Sequence, residues 1–219
     1  MVSPQAFIFD LDGVLTDTAE YHFRAWKRLA DEEGVSFTRE DNEQLRGVSR
    51  RQSLLLLLKG RNLPETQMES WMMRKNDYYR AFLSDITPSD LLPGVSSFLA
   101  EARNRGIKLG VGSASKNARD AIVHLGIMGL FDAIGDGFSV SNPKPSPDLF
   151  VWVAGRLGVP TPDAVVFEDA EAGIDAALAA GMYAVGLGPV MRVGKAHLVL
   201  PNLDGATLDA VFEGLKVSE

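Results

Sequence analysis

The period of apolar positions changes along the chain, and each change marks an element. Residues Ala6 to Phe9 form an apolar run of strand length that ends on Asp10, Leu11, Asp12 and the turn-former Gly13. This predicts a buried strand with two carboxylates at its end. Ala19, Phe23, Trp26, Leu29 and Ala30 then recur at helical spacing, predicting an amphipathic helix from Thr18 to Glu33 that stops at Gly34. Thr38 with Asp41 marks a further helix start, and the Leu54–Leu58 run reads as a buried helix following Gly47-Val48-Ser49-Arg50. Another helix starts near Pro64-Glu65 and carries Met68, Trp71, Met72, Tyr78, Tyr79 and Phe82 on one stripe, with Lys75 inside it. No strand candidate interrupts this stretch from Thr18 to Leu83, which reads as a helical insertion.

From Pro93-Gly94 the pattern becomes alternating. A helix with Val95, Phe98, Leu99 and Ala102 inward precedes a strand from Ile107 to Gly112, and Ser113 to Asn117 is expected to cap a helix reaching Leu125. A strand at Phe131–Ile134, a helix at Pro147–Leu157, a strand at Ala164–Phe167 and a helix at Glu171–Ala180 follow. Strands at Tyr183–Leu187 and Leu198–Leu200 and a helix at Thr207–Leu215 close the chain. Strands alternating with helices predict a parallel sheet covered on both faces, with sites at the carboxyl ends of its strands.

Composition narrows the chemistry. The chain has no cysteine, which excludes a disulfide framework, a thiolate metal site and a cysteine nucleophile. Apolar runs such as Leu54–Leu58 are far too short to span a bilayer and no basic-then-apolar region opens the chain, so neither a membrane span nor a secretory signal is expected and a cytoplasmic location follows. A net charge of −7 argues against nucleic acid as a partner. An anionic substrate would still need local cations, for which Arg50, Lys75, Lys116 and Lys144 are the candidates.

Two carboxylates repel by roughly 4 kcal/mol at ~4 Å and an effective dielectric of ~20, so Asp10 and Asp12 require a cation or a shared proton. They share a face only if extended geometry continues past Leu11. A hairpin turning at Asp12-Gly13 is the alternative, supported by the alternation through Val14, Leu15 and Thr16. Side by side, the strand ends offer Asp10 and Asp12, Ser113 to Asn117, Lys144, and Glu168 with Asp169. Singly, each has a structural explanation. Ser113 reads as a helix cap, Lys144 as a loop lysine between Pro143 and Pro145, and Glu168-Asp169 as a cap on the next helix. His22 reads as a hydrogen-bonded core histidine and Lys75 as a lysine snorkelling from a core edge. Together, acidic, hydroxyl, basic and acidic groups on four strand ends point to a site for a hard cation and a phosphate. Asp10 and Asp169, with a backbone carbonyl and water, suit Mg²⁺, whereas no cysteine and only three histidines disfavour zinc.

The stretch Asp10 to Asp17 and the motifs Ser113-Ala114-Ser115, Lys144-Pro145 and Glu168-Asp169 resemble the four motifs of the haloacid dehalogenase superfamily of phosphotransferases. Thr16 to Trp26, Gly47 to Arg50, Arg74 to Asp77 and Ser113 to Asn117 are similar to its hexose-phosphate mutases. The resemblance implies an α/β fold: a Rossmann-like doubly wound parallel sheet core (residues 1–15 and 91–219) with an inserted cap of four helices (residues 16–90). It also implies an isomerase that interconverts β-glucose 1-phosphate and glucose 6-phosphate through glucose 1,6-bisphosphate and a phosphorylated aspartate. In that pattern Asp10 is the nucleophile and Asp12 the general acid and base. Mg²⁺ would be held by Asp10, the Asp12 backbone carbonyl and Asp169, with Glu168 close by. Ser113 and Lys144 would hold the transferring phosphoryl group, and Arg50, Ser115, Lys116 and Asn117 the distal phosphate and sugar. Thr18, His22, Trp26, Gly47, Val48, Ser53, Lys75 and Asn76 match cap or hinge positions. The chain departs from the family pattern at Ala170, where a hydroxyl often follows the acidic pair, and at Pro143. Small sugar phosphates are the expected partners of a monomer that binds neither nucleic acid nor membrane. A sugar-phosphate phosphatase of the same superfamily is the nearest competing reading, and a non-enzymatic helical interaction module a more distant one.

Overall fold

Side chains alternate along a strand, so an apolar run buried on both sides must supply two cores. Phe7 and Phe9 enter one hydrophobic cluster and Ala6 and Ile8 another, all fully buried. The computed structural model describes residues 4–216. Its sheet comprises β1 (Ala6–Phe9), β2 (Lys108–Gly112), β3 (Ala133–Gly135), β4 (Ala164–Glu168), β5 (Tyr183–Leu187) and β6 (Leu198–Leu200). All neighbours pair in parallel, in the order β3-β2-β1-β4-β5-β6. Phe9 stands opposite Val111 on one side and Phe167 on the other, so the chain after β1 emerges between the ends of β2 and β4.

Four helices lie between β1 and β2's own helix: α1 (Ala19–Glu32), α2 (Arg39–Glu43), α3 (Arg50–Leu58) and α4 (Glu65–Leu83). They enclose a cluster of their own around Trp26, Leu29, Leu54, Leu57 and Trp71. On α4 the buried line is Met68, Trp71, Lys75, Tyr79 and Leu83, with Met72, Tyr78 and Phe82 only partly covered beside it. Tyr79 and Leu83 join the cluster beneath the sheet, so α4 spans both cores. The helices leave and rejoin the sheet through two adjacent crossings. Thr16 bridges antiparallel to Leu91, its hydroxyl donates to Asp90 O at 2.7 Å, and Leu92 N–H donates to Leu15 O at 3.0 Å.

The remaining helices are α5 (Val95–Asn104), α6 (Ala118–His124), α7 (Asp148–Leu157), α8 (Glu171–Ala179), α9 (Val190–Val193) and α10 (Leu208–Lys216). Residues of α5, α6 and α10 cover the Phe7/Phe9 face, and residues of α7 and α8 the Ile8 face. The expected α/β sheet with helices on both faces is therefore the fold observed, with local differences. No hairpin forms at Asp12-Gly13; Gly13 turns at φ +79° and residues 14 and 15 fold back into the core. β3 lies two residues beyond its expected start, because Phe131 and Asp132 approach the sheet from outside it. There the Asp132 carboxylate caps Leu109 N–H at 2.9 Å, and Gly135 is then packed closely by Val153 and Leu149. Leu55 of the Leu54–Leu58 run faces outward on α3. Helix α9 has no expectation behind it.

The Phe98 ring packs within 6.3 Å of the rings of Phe7, Phe9 and Phe167 and is almost fully buried. Phe98→Ala is expected to lower unfolding free energy by about 3–5 kcal/mol, read as a drop in the urea midpoint at unchanged slope.

Candidate active site

Past the end of β1, Asp10 N–H donates to Phe167 O at 2.9 Å, which ties the first carboxylate to the neighbouring strand. Asp12 N–H donates back to Asp10 Oδ2 at 3.1 Å. Lys144, brought in from 134 residues away, places its buried ammonium 2.7 Å from Asp10 Oδ1 and 2.6 Å from Glu168 Oε1. Glu168 Oε2 also accepts Ala170 N–H at 2.8 Å. Two glycines make room for these oxygens: a Cβ at Gly13 would stand 2.4 Å from Asp169 Oδ2, and one at Gly173 would stand 1.8 Å from Glu168 Oε1.

Among the fully buried groups charge does not balance on this floor, because Lys144 is buried with the carboxylates whereas Arg46 and Arg192 reach Asp169 from its partly exposed margin. Asp10, Glu168 and Asp169 are buried, and they can each offer one oxygen such that the three lie within 4.8 Å of one another. Burial pushes Glu168 up to about 8, with Asp10 and Asp169 adding to the rise and Lys144 opposing it. Burial and then Asp10 push Asp169 up to about 7, while Arg46 and Arg192 pull it down. Burial lowers the Lys144 ammonium, but Asp10 and Glu168 outweigh it and hold its pKa above the usual value. An excess of buried carboxylate oxygen over cation is the donor set that a hard divalent ion such as Mg²⁺ satisfies, so these residues fit the expected metal.

The helices supply the other wall. Thr18 donates its hydroxyl to Asp12 Oδ1. Lys75 Nζ lies 2.9 Å from His22 Nδ1, and the ammonium position is also 5.0 Å from the Trp26 ring and 4.7 Å from that of Tyr79. Burial lowers both groups well below their usual pKa values, and Arg50 lowers each further. We assign Nδ1 as the acceptor, which puts the imidazole proton on Nε2. That atom has no hydrogen-bond partner and lies 3.9 Å from Asp12 Oδ2. Asp12 itself is raised to about 7 by burial and then by Asp10, against the pull of Lys75 and Lys144.

One cavity gathers Asp10, Asp12 and Asp169 from the strand ends with His22, Trp26, Gly47, Val48, Arg50, Ser53 and Lys75 from the helices, and Ser115 and Lys116 from the loop after β2. The other expected residues stand around its wall. Arg50 donates to Asn76 Oδ1 at 2.7 Å, and the Asn117 side-chain amide donates to the same oxygen at 2.9 Å. Ser113 Oγ accepts Ser115 N–H at 3.1 Å, and Ser115 Oγ accepts Asn117 N–H at 3.2 Å, so residues 113–117 form tight turns and the helix starts only at Ala118. The expected capping by Asn117 does not occur, because its side chain is used across the cleft. Lys116 stacks its ammonium 4.8 Å from the Phe138 ring. Sequence reasoning missed Arg46 and Arg192, both on Asp169, and took Tyr79 only as an apolar position. Arg46 carried a signal, a cation directly before Gly47 in an acidic chain; Arg192 carried none.

A parallel sheet whose strand ends assemble an aspartate pair, a buried lysine and a second acidic pair beneath helices is the arrangement of one phosphotransferase class. The family model of haloacid dehalogenase-like hydrolases matches residues 4–181, and the chain belongs to that family. It is 43% identical to a β-phosphoglucomutase of Bacillus subtilis, over 95% of this chain and 94% of the relative. It is 30% identical to a phosphorylated carbohydrates phosphatase of Thermotoga maritima, over 89% and 90%. The solved structure of a β-phosphoglucomutase from Clostridium difficile superposes with a TM-score of 0.94 at 39% identity, covering 98% of both chains.

Two predictions follow from the geometry. Gly13→Ala, at a positive-φ position against Asp169, is expected to weaken Mg²⁺ binding by about 10-fold or more in calorimetry, with no carboxylate altered. For Lys75, a base whose folded pKa is depressed, the unfolded state binds the proton first as pH falls below 10.5, so its burial costs more stability at lower pH. Lys75→Met is therefore expected to raise the urea midpoint more at pH 6 than at pH 9.

Proposed function

We propose that the protein is a Mg²⁺-dependent β-phosphoglucomutase that interconverts β-glucose 1-phosphate and glucose 6-phosphate through glucose 1,6-bisphosphate and a phospho-aspartyl enzyme. The observation that carries this reading is Arg50. It lies on the wall of the cavity that holds Asp10, its hydrogen bond goes to a neutral amide, and among the described residues it makes no ion pair. A site that handles one phosphate needs one cationic pole, at Lys144; Arg50 with Lys116 supplies a second, as a sugar bisphosphate requires. In this reading residues 16–90 act as a cap over a core of residues 1–15 and 91–219.

Asp10 attacks the phosphorus of the donor, forming an acyl phosphate and breaking the bond to the sugar oxygen. Asp12 gives that oxygen a proton, and in the second half-reaction takes one from the sugar hydroxyl that attacks phospho-Asp10. A carboxyl raised to about 7 can do both near neutral pH. Asp10, the Asp12 backbone carbonyl and Asp169, with Glu168 close by, would hold Mg²⁺, which when bound offsets the repulsion between phosphate and carboxylates. Lys144 and Ser113 steady the phosphoryl group. Ser115, Lys116, Asn117 and Arg50 hold the distal phosphate and sugar. Thr18 and His22 orient Asp12, and Lys75 with Trp26, Gly47, Val48, Ser53 and Asn76 shapes the closed cleft that excludes water. The partners are small sugar phosphates, and a cytoplasmic monomer that binds neither nucleic acid nor membrane completes the reading. The net charge of −7 supports it, and among the described residues no helix is long and apolar enough to cross a membrane.

Phosphorus NMR of β- and α-glucose 1-phosphate with Mg²⁺ and trace glucose 1,6-bisphosphate tests this. Conversion of the β anomer to glucose 6-phosphate is expected, and release of inorganic phosphate as the main product would establish a phosphatase instead. Asp10→Asn is expected to abolish every transfer, whereas Asp12→Asn keeps Mg²⁺ affinity and slows transfer by about 10²-fold or more. Arg50→Ala is expected to cut mutase flux far more than hydrolysis of acetyl phosphate; equal losses would place Arg50 in core integrity rather than in substrate binding.

A further inference from the structure

Lys144 pairs with Asp10 and Glu168, whereas Asp169 is held by two arginines. Arg46, in the loop between α2 and α3, sets Nη1 3.2 Å from Asp169 Oδ2 while its Nε stays 2.9 Å from Glu43 Oε2. Arg192 of α9 donates from Nε to Asp169 O at 2.6 Å and brings Nη2 to 3.5 Å from Oδ2, with Nη1 3.7 Å from Glu43. Glu43, Arg46, Asp169 and Arg192 thus close a ring of alternating charge between the helices and the strand ends. The seam is tight beside it. A Cβ on Gly47 would lie 2.8 Å from the Cβ of Ala170, so the loop carrying Arg46 rests directly on the residue after Asp169.

We propose that Arg46 is a positioning residue that makes closure of the helices and binding of the divalent cation compete for Asp169 Oδ2. While the guanidinium takes that oxygen it holds the helices down; when the cation takes the oxygen, this hold is released, and substrate must supply the closing force. The two events are then linked reciprocally: whatever loosens Arg46 tightens metal binding, and metal loosens the loop. The inference rests on the metal site of the proposed function and on no sugar phosphate.

The experiment uses the whole chain with Mg²⁺ alone. Calorimetric titration is expected to show Arg46→Gln binding Mg²⁺ about 5-fold or more tighter than the parent, with Arg46→Lys between them because an ammonium retains charge. Amide exchange at residues 43–50 is expected to speed up when Mg²⁺ is added to the parent, and to be fast already in metal-free Arg46→Gln. Unchanged or weaker Mg²⁺ binding by Arg46→Gln with an unaltered melting temperature, or exchange in the parent that ignores Mg²⁺, overturns the proposal. So does a lowered melting temperature without tighter binding, which marks Arg46 as merely structural. Mutase activity is measured separately: its absence alongside the expected affinity change refutes the substrate assignment only.

Discussion

The buried ion triad of Lys144 with Asp10 and Glu168 is the constraint on which the rest depends. Taking charges out of water costs several kcal/mol per ion, and one lysine between two carboxylates offsets that cost only because their oxygens lie at hydrogen-bond distance. The distances in turn require β1 and β4 to be neighbours in register, since Asp10 and Glu168 extend from adjacent strands. They also require glycine at Gly173, where any side chain would occupy the space of the Glu168 carboxylate. The sheet order, the glycine and the charge triad are thus one arrangement seen at three scales.

The two walls of the cleft differ electrically. The strand ends concentrate charge: three buried carboxylates and one ammonium, with Arg192 at the margin and Arg46 reaching across from the loop between α2 and α3. The helices above present, beside the cation of Arg50, two ionisable groups from which burial removes charge, Lys75 and His22, both depressed and in mutual contact. Asp12 lies between them and shares both characters, raised toward neutrality yet hydrogen-bonded by Thr18. A carboxyl in that position can carry a proton without either wall having to reorganise.

The sheet, nearly all of its helices and the strand-end carboxylates were legible because each follows from local periodicity: apolar runs of strand length, helical recurrence, acidic residues where an apolar run stops. What escaped depends on contacts between distant parts of the chain. Arg46 meets Asp169 across 123 residues and Arg192 reaches it from α9, 23 residues on, so neither pairing has a local signature. Asn117 reads as a cap until Asn76, on α4, claims its amide. Phe131 reads as strand until Asp132 is seen to anchor it outside the sheet. Lys75 was visible as an anomaly, a cation inside an apolar stripe, but its partner His22 lies on another helix.

The paired crossings at Thr16 and Leu91 have a consequence for Asp12. Thr16 bridges to Leu91 on one side and to Asp12 on the other, and Gly13 N–H donates to Thr16 O at 2.7 Å. Two chain segments fastened together this way leave the helices free to turn about the fastening but restrain them from sliding across it. Asp12 sits at that pivot. Asp12 is bridged to the fastening itself, whereas Thr18 and His22, the groups nearest its carboxylate, belong to the start of the helix that leaves it. In the proposed function, the group that handles the proton is then the one held at the fastening, and the groups around it belong to the part beyond, as with a fixed contact and a moving switch arm.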